Sequence, residues 1–482
     1  MLDIRQPPFV FPCFVEGRPL EMVDRTDRIL VVHPYSGQVI GSVPRLHRDQ
    51  VVRALEVGAA AGPCPSRHER SQILLRAAVH LERDRELVAR LITWESGLCL
   101  KDTRHEVGRA LEVLRAASRE ALGDDGRCYS FDALPGGPDR RGFTVREPLR
   151  LATAITPFNH PLNQVAHKVA PAIAAGTPLV LKPSERTPLS ALFLASILFE
   201  AGLPGRMLAV VTGDAEVLGP LLVQHPSVEL VSFTGSVATG KRIAGMLGYR
   251  RALLELGGND PLIVCAGADL DEAARLATEG AFANSGQRCT AVKRILVDHA
   301  VADAFAGRLA AAAARLRAGD PFDEATEVGT VISEEAAIRL ELLAEQTIAD
   351  GARLLAGGQR RGALYYPTVL DHCRPDSESV RTETFGPHAP IVRVSGPDEA
   401  IRIANDTPYG LSAGVCTGDL KLAHRFIREL RCGTVNIGAV PGLRTESTPF
   451  GGCKDSGLGV KEGVTEAMKA LSFEKLYTLP WS

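Results

Sequence analysis

From residue 151 onward, apolar runs of four or five residues alternate with longer stretches whose apolar positions recur every three or four residues. Short continuous apolar runs read as strands buried on both faces, and the stretches between them as covering helices. The expected strands are 151–155, 179–182, 207–211 and 229–233, and the expected helices are 161–175, 188–201, 215–224 and 236–247. That rhythm predicts a parallel sheet, with ligands bound beyond the C-terminal ends of its strands. A second alternating region begins near Pro261. It holds expected strands at 262–264, 293–297, 367–370, 389–394 and 433–437, and helices at 271–284, 301–318, 334–349, 398–405 and 420–430.

The first 150 residues differ. Residues 9–45 read as short extended pieces broken by Gly17, Pro34, Gly37 and Gly41, and 48–122 as helical. Asp49 is expected to cap a helix through Ala61, Ser71 one running to about Asp84, and the next helix starts near Glu86. A further helix over 101–118 carries Val107, Ala110, Leu111 and Leu114 on one face; Arg109 lies off that face and by position alone reads as solvated. Residues 127–148 pattern as a hairpin, with arms Cys128-Tyr129-Ser130-Phe131 and Gly142-Phe143-Thr144-Val145 around a Pro-Gly turn. The closing stretch 471–477 is a strand without a local partner. An isolated hairpin and a lone strand need something to pair with, so both read as oligomerisation pieces.

A chain of 482 residues exceeds a single core, so two or more domains are expected. With 45% hydrophobic residues, 23% charged residues and a net charge of −2, no global field points to nucleic acid or an anionic membrane. The ten cysteines are scattered, without C-x-x-C pairs or finger-like Cys/His spacing. That predicts reduced thiols in a cytoplasm and no metal site. Residues 1–8 do not read as a signal peptide, and no apolar run reaches membrane-span length.

Candidate chemistry centres on Asn284-Ser285-Gly286-Gln287-Arg288-Cys289-Thr290. A structural cysteine usually sits in an apolar run. Cys289 instead follows Arg288, and a cation beside a thiol favours the nucleophilic thiolate; the competing reading is a polar turn that happens to hold a cysteine. Phe233-Thr234-Gly235-Ser236 puts a glycine and free N–H groups at a helix N-terminus, where a phosphate can sit, although many α/β junctions carry such residues as simple turn and cap chemistry.

Seven motifs occur in order: Thr156-Pro157-Phe158-Asn159, Lys182-Pro183-Ser184-Glu185-Arg186-Thr187-Pro188, Phe233-Thr234-Gly235-Ser236, Glu255-Leu256-Gly257-Gly258-Asn259, Gly286-Gln287-Arg288-Cys289, Glu383-Thr384-Phe385-Gly386-Pro387 and Pro449-Phe450-Gly451-Gly452. Together they resemble the aldehyde dehydrogenase superfamily over nearly the whole chain. The resemblance implies an α/β fold: a Rossmann-like NAD-binding domain (1–126 and 149–257), an α/β catalytic domain (258–445), a β-hairpin oligomerisation arm (127–148 and 471–482) and a return segment (446–470). It implies Cys289 as nucleophile, Asn159 as oxyanion donor and Glu255 as the base that activates water for thioester hydrolysis. It places NAD against Thr156, Pro157, Phe158, Lys182, Ser184, Glu185, Gly235, Ser236, Gly257, Glu383 and Phe385. A homodimer or homotetramer follows from the same resemblance.

Phe158 and His160 depart from the commoner family pattern, which has Trp and Phe there. With Arg109, Arg288, Thr290 and Arg444 they are similar to the branch that oxidises phosphonoacetaldehyde to phosphonoacetate. Arginine forks suit a phosphonate carrying about −1.5 to −2 charges. Phosphonoformaldehyde and carboxylate semialdehydes such as succinate semialdehyde are the alternative substrates. A catalytically idle member and a coenzyme A-acylating dehydrogenase are the alternative functions; intact Cys289, Asn159 and Glu255 speak against the first, and Glu255 against the second.

Overall fold

The computed structural model describes residues 2–20, 27–60, 62, 64–123 and 126–481. The end of the helix expected through Ala61 lies partly outside them. The first sheet has seven strands in the order Arg251–Glu255, Leu230–Thr234, Ala152–Ile155, Leu179–Lys182, Leu208–Val210, Cys13–Val15 and Arg18–Leu20. The first five run parallel, and Cys13–Val15 joins antiparallel to Leu208–Val210. Chain order reverses between Ala152–Ile155 and Leu230–Thr234. Their C-terminal ends, carrying Thr156 and Gly235, therefore flank the crevice where such sheets bind ligands.

The strand Arg251–Glu255 is absent from the sequence expectation. Arg251 is exposed and Ala252 half-buried, and only Leu253, Leu254 and Glu255 are buried, so the apolar run is too short to read as a strand. The sheet recruits it because Thr234 and Glu255 pair in register. Glu255 thereby sits at a strand end, beside the crevice.

The second sheet also has seven strands: Arg353–Ala356, Thr368–Asp371, His388–Val394, Val292–Asp298, Asp260–Val264, Ser412–Cys416 and Thr434–Ile437. All pairings are parallel except the first. The helix Leu270–Phe282 stops two residues short of the expected end, because Asn284, Ser285 and Gly286 turn left-handed at φ 59°, 52° and 68°.

The strand Ser472–Pro480 has a partner after all. It pairs antiparallel with Arg140–Pro148 over nine positions, and Cys128–Ser130 lies on that strand's other side. Phe131 belongs to a short turn, Phe131–Ala133, rather than to the hairpin arm.

Two expected caps move. Ser66, not Ser71, caps the helix Arg67–Arg83 through a reciprocal box with Glu69, while Ser71 is buried inside it. His47, not Asp49, precedes the helix Arg48–Ala59. The long helix Leu100–Glu120 buries the expected Val107, Ala110, Leu111 and Leu114. Its Glu106 accepts from the backbone N–H groups of Leu162 and Asn163 at 2.8 and 3.0 Å, at the start of the helix Asn163–Ala175.

Candidate active site

Cys289 follows a loop that the sequence cannot build from ordinary backbone. Gly286 is obligatory there: a Cβ on it would lie 2.0 Å from the Gly386 carbonyl oxygen. Asp102, from the helix Leu100–Glu120, accepts from the Asn284 N–H at 2.9 Å. The Asn284 side-chain amide donates to the Asn159 carbonyl at 3.0 Å, and the Asn159 amide donates to the Gln287 carbonyl at 2.8 Å. Asn159, buried, is thus tied to the two residues that lead into Cys289. One amide N–H is spent on the Gln287 carbonyl, which leaves the second.

The thiol departs from expectation. Burial pushes Cys289 up to about 11, with Asp260 and Glu383 adding to the rise. The cations that oppose this are Lys293 and Arg444. Arg288, adjacent in sequence, turns away: its Nη2 donates to the carbonyls of Glu279 and Gly280 at 3.1 and 2.8 Å, at the end of the helix Leu270–Phe282. A neighbour in sequence need not be a neighbour in charge, and the half-buried Cys289 sits where the thiol is favoured over the expected thiolate. Lys293 holds the same loop from below, donating to the Arg288 and Cys289 carbonyls at 2.6 and 2.8 Å.

Glu255 is buried, and neither of its carboxylate oxygens has a hydrogen-bond partner. Burial first and the Glu462 carboxylate second push its pKa well above the usual range, against Lys168, Arg444 and Lys461. Gly451 leaves it room; a Cβ there would lie 2.6 Å from Glu255 Oε1. Behind it, Lys168 Nζ meets Glu462 Oε1 and Ser232 Oγ, each at 2.8 Å.

The expected cofactor residues gather along the C-terminal ends of the first sheet. Thr156 and Thr234 each bury a hydroxyl oxygen with no partner. Ser236 caps the helix Val237–Met246, accepting from the Thr239 N–H. Lys182 Nζ meets Glu185 Oε1 at 2.5 Å, and Ser184 Oγ accepts from the Arg186 N–H. Gly257 passes against Glu383, where a Cβ would lie 2.1 Å from Oε2, and Glu383 accepts from the Gly258 N–H at 3.1 Å. The Phe158 and Phe385 rings meet edge to face at 5.8 Å on the wall of a cleft of about 880 Å³ that also reaches Gln287. Half-buried Pro157 lies between Thr156 and Phe158. Orphaned hydroxyls, the first-turn N–H groups of Val237–Met246 that the Ser236 cap leaves over, and the Lys182–Glu185 pair fit the phosphates and hydroxyls of a dinucleotide.

The expected substrate residues separate into three kinds. Arg444 stacks on Phe450, its guanidinium carbon 4.0 Å from the ring centroid, and its Nη1 is buried without a partner. His160 likewise buries Nδ1 without a hydrogen bond, 3.7 Å from Glu106 Oε2. Arg109 is committed: its Nε and Nη2 donate to Glu446 at 2.6 and 3.2 Å. Thr290 packs on the 440–444 loop, where a Cβ on Gly442 would lie 2.5 Å from its Oγ1.

The aldehyde dehydrogenase family profile matches residues 22–476. The chain belongs to the aldehyde dehydrogenase family. Among relatives of this aldehyde dehydrogenase, the aspartate-semialdehyde dehydrogenase 1 of Pseudomonas canavaninivorans is 40% identical over 454 residues, 94% of this chain and 96% of that protein. A 3-sulfolactaldehyde dehydrogenase of Priestia aryabhattai is 37% identical over 94% of this chain and 95% of its own length. The crystal structure of an NADP-dependent glyceraldehyde-3-phosphate dehydrogenase from Bacillus halodurans C-125, complexed with NADP, superposes with a TM-score of 0.94 at 35% identity, covering 98% and 99% of the two chains.

Several residues of this aldehyde dehydrogenase site escaped sequence reasoning: Asp102, His167, Lys168, Lys293, Glu446 and Glu462. His167 and Lys168 left a signal, since they interrupt an otherwise small and apolar helix that is buried at every position. Glu446 and Glu462 left none, because their partners lie hundreds of positions away in the chain.

Proposed function

We propose that this aldehyde dehydrogenase oxidises a short aldehyde bearing an anionic head group to the corresponding acid, with NAD as the preferred cofactor. When bound in the crevice, the nicotinamide supplies the hydride acceptor. After its thiol proton passes to solvent water, Cys289 attacks the aldehyde carbon as thiolate to form a thiohemiacetal, and the free Asn159 amide N–H with the Cys289 N–H stabilises its oxyanion. Once hydride has left, Glu255 takes a proton from the water that hydrolyses the thioester. Lys182 and Glu185 hold the adenosine ribose, and Glu383 the nicotinamide ribose.

The observation that carries the head-group reading is Arg444: a half-buried guanidinium whose Nη1 is buried without a partner, close enough to oppose the rise of the Cys289 thiol. An unpaired buried cation is costly unless a ligand completes it. The substrates of those relatives fit, since an aspartate semialdehyde carries a carboxylate and a sulfolactaldehyde a sulfonate. Within that class phosphonoacetaldehyde, as its singly ionised phosphonate, is the particular substrate proposed, on His160, Thr290 and Arg444; Arg109 and Arg288, engaged by Glu446 and by the Glu279 and Gly280 carbonyls, offer it no free fork. The same reading takes the three-stranded antiparallel sheet as an arm joining copies into a dimer or tetramer.

The test is a panel of aldehydes with phosphonate, sulfonate, carboxylate or no charge, followed by NADH absorbance for wild type and Arg444→Ala. Losing one partner of a buried charge pair costs about 2–5 kcal/mol, a loss of order 30-fold or more in kcat/KM. That loss belongs to the anionic aldehydes. Equal losses on charged and uncharged aldehydes would make Arg444 structural and remove the head-group reading.

A further inference from the structure

We propose that Glu446 sets the head-group charge this pocket accepts, holding it to a single negative charge. The proposal rests on the anion-head reading above. Glu446 lies two residues past Arg444, at the mouth of the same loop. Its carboxylate takes Arg109 Nε and Nη2 at 2.6 and 3.2 Å, and His167 Nε2 at 2.5 Å. A bidentate fork spent on a protein carboxylate is not available to a substrate oxygen.

The charges around the head-group position can be followed one by one. Arg109 and Arg444 bring two positive charges. Glu446 brings one negative charge, held ionised by its hydrogen bonds from His167 and Arg109 against the opposing effect of burial. Burial keeps His167 below the usual histidine range, and its Nε2 meets Glu446 as a hydrogen-bond partner; His105, more exposed, is also lowered, by desolvation first and then by Arg109. Lys168 and Glu462 cancel as a contact pair at 2.8 Å. Arg288 faces carbonyls at the end of the helix Leu270–Phe282 and lies near the buried Asp102 carboxyl. His160 and Glu106 face each other at 3.7 Å on the remaining side. Arg85, Glu112 and Arg119 line the outer part of the cavity beside Arg109, with Arg85 paired to Glu82 and Glu112 to Arg115 at the surface, and Lys461 donates to the carbonyls of Gly433 and Gly451. At the loop itself the two arginines and Glu446 leave one net positive charge.

A sulfonate, a carboxylate or a singly ionised phosphonate balances that charge. A doubly ionised phosphonate adds a buried negative charge with no partner, which is unfavourable at low local dielectric. Glu446 therefore selects between ionisation states of one head group, as well as anchoring Arg109. It acts on the substrate through Arg109 and through the field, and is a positioning residue rather than a catalytic one.

The experiment compares kcat/KM for a sulfonate aldehyde and the matching phosphonate aldehyde across pH, in wild type, Glu446→Gln and Glu446→Asp. An uncharged aldehyde serves as reference. The sulfonate keeps one charge throughout, whereas a phosphonate, like a phosphate ester, loses its second proton near pH ~6. Taking the ratio of the two substrates cancels the titration of the enzyme's own groups. In wild type the phosphonate-to-sulfonate ratio should fall as pH rises through that ionisation. In Glu446→Gln the ratio at high pH should rise by roughly tenfold or more, the effect of removing one charge at short range. Glu446→Asp should keep the wild-type ratio even where absolute rates drop.

A wild-type ratio that stays flat with pH overturns the proposal, as does a Glu446→Gln variant that loses activity equally on both anions. The wild-type pH series stands alone if Glu446→Gln fails to fold. No wild-type preference for either anion over the uncharged aldehyde is a different outcome, and it removes the head-group reading along with this one.

Discussion

At the scale of single residues, the catalytic assignment makes separate demands on Cys289 and Glu255. Cys289→Ala should abolish oxidation while leaving dinucleotide binding nearly intact, because the sulfur forms the covalent intermediate and touches no ribose or phosphate. Equilibrium binding of NAD beside a turnover assay checks both halves. Glu255→Gln should slow deacylation and leave a first-turnover burst of NADH; steady-state rates equal to wild type would remove Glu255 as base. The pH dependence follows from burial. A base works only when deprotonated, and burial with Glu462 holds the Glu255 proton well above the usual carboxylate range. Activity should therefore rise with pH on a limb lying above that range. Substituting Glu462 by Gln removes a repelling carboxylate, so the limb should move to lower pH in the kcat/KM profile. An unmoved limb would assign it to another group. Cofactor choice is also decided locally. Glu185 beside Lys182 would repel a 2′-phosphate, so kcat/KM should favour NAD over NADP, and a clear NADP preference would contradict the ribose assignment.

At the scale of elements, the alternation of apolar runs placed most strands and helices to within a residue or two, because parallel strands buried on both faces are apolar without interruption. What escaped it has definite causes. Arg251–Glu255 is polar at its start and becomes a strand only through pairing with Leu230–Thr234. The cap at Ser66 was legible as Ser-x-x-Glu, but Ser71 and Asp49 were equally good cap types at plausible positions. The loop before Cys289 was legible as a place and not as a shape. Its motif was evident, yet three successive left-handed residues follow from Asp102, Gly386 and the Asn159 network, all distant in sequence. Gly286→Ala tests how much depends on that shape. The positive φ costs about 1–3 kcal/mol in strain, and a Cβ 2.0 Å from the Gly386 oxygen forces backbone to move. Thermal unfolding should show a modest fall in Tm, while kcat should fall far more for charged and uncharged aldehydes alike. A variant that loses Tm without that disproportionate loss of kcat would separate the loop's stability from its catalytic geometry.

For the whole molecule, the site draws on both seven-stranded sheets. Thr156, Lys182, Gly235 and Glu255 come from strand ends of the first, while Lys293 lies on a strand of the second and Cys289 just ahead of that strand. Neither region alone carries the chemistry, and no local pattern announces that they meet. The three-stranded sheet of Cys128–Ser130, Arg140–Pro148 and Ser472–Pro480 carries none of the candidate site residues. Ser472–Pro480 lies along Arg140–Pro148 with Phe473, Lys475, Tyr477 and Leu479 at alternate positions, and Trp481 follows just beyond the strand; Phe473, Tyr477, Leu479 and Trp481 are each 41% or more exposed. Phe143 stacks on Tyr477 at 5.6 Å. A cluster of exposed aromatic and apolar side chains of this kind is the feature behind the proposal that this sheet joins copies of the chain. Leu479 and Phe473 are the clean probes, since both are exposed and neither takes part in the backbone ladder through its side chain. Phe473→Glu with Leu479→Glu should leave the fold intact by circular dichroism and lower the mass in sedimentation toward that of a single chain. Like charges brought together across a symmetric contact oppose association, whereas an isolated chain carries them in water at little cost. An unchanged mass with both glutamates in place would mean that this sheet is not where copies of the chain meet.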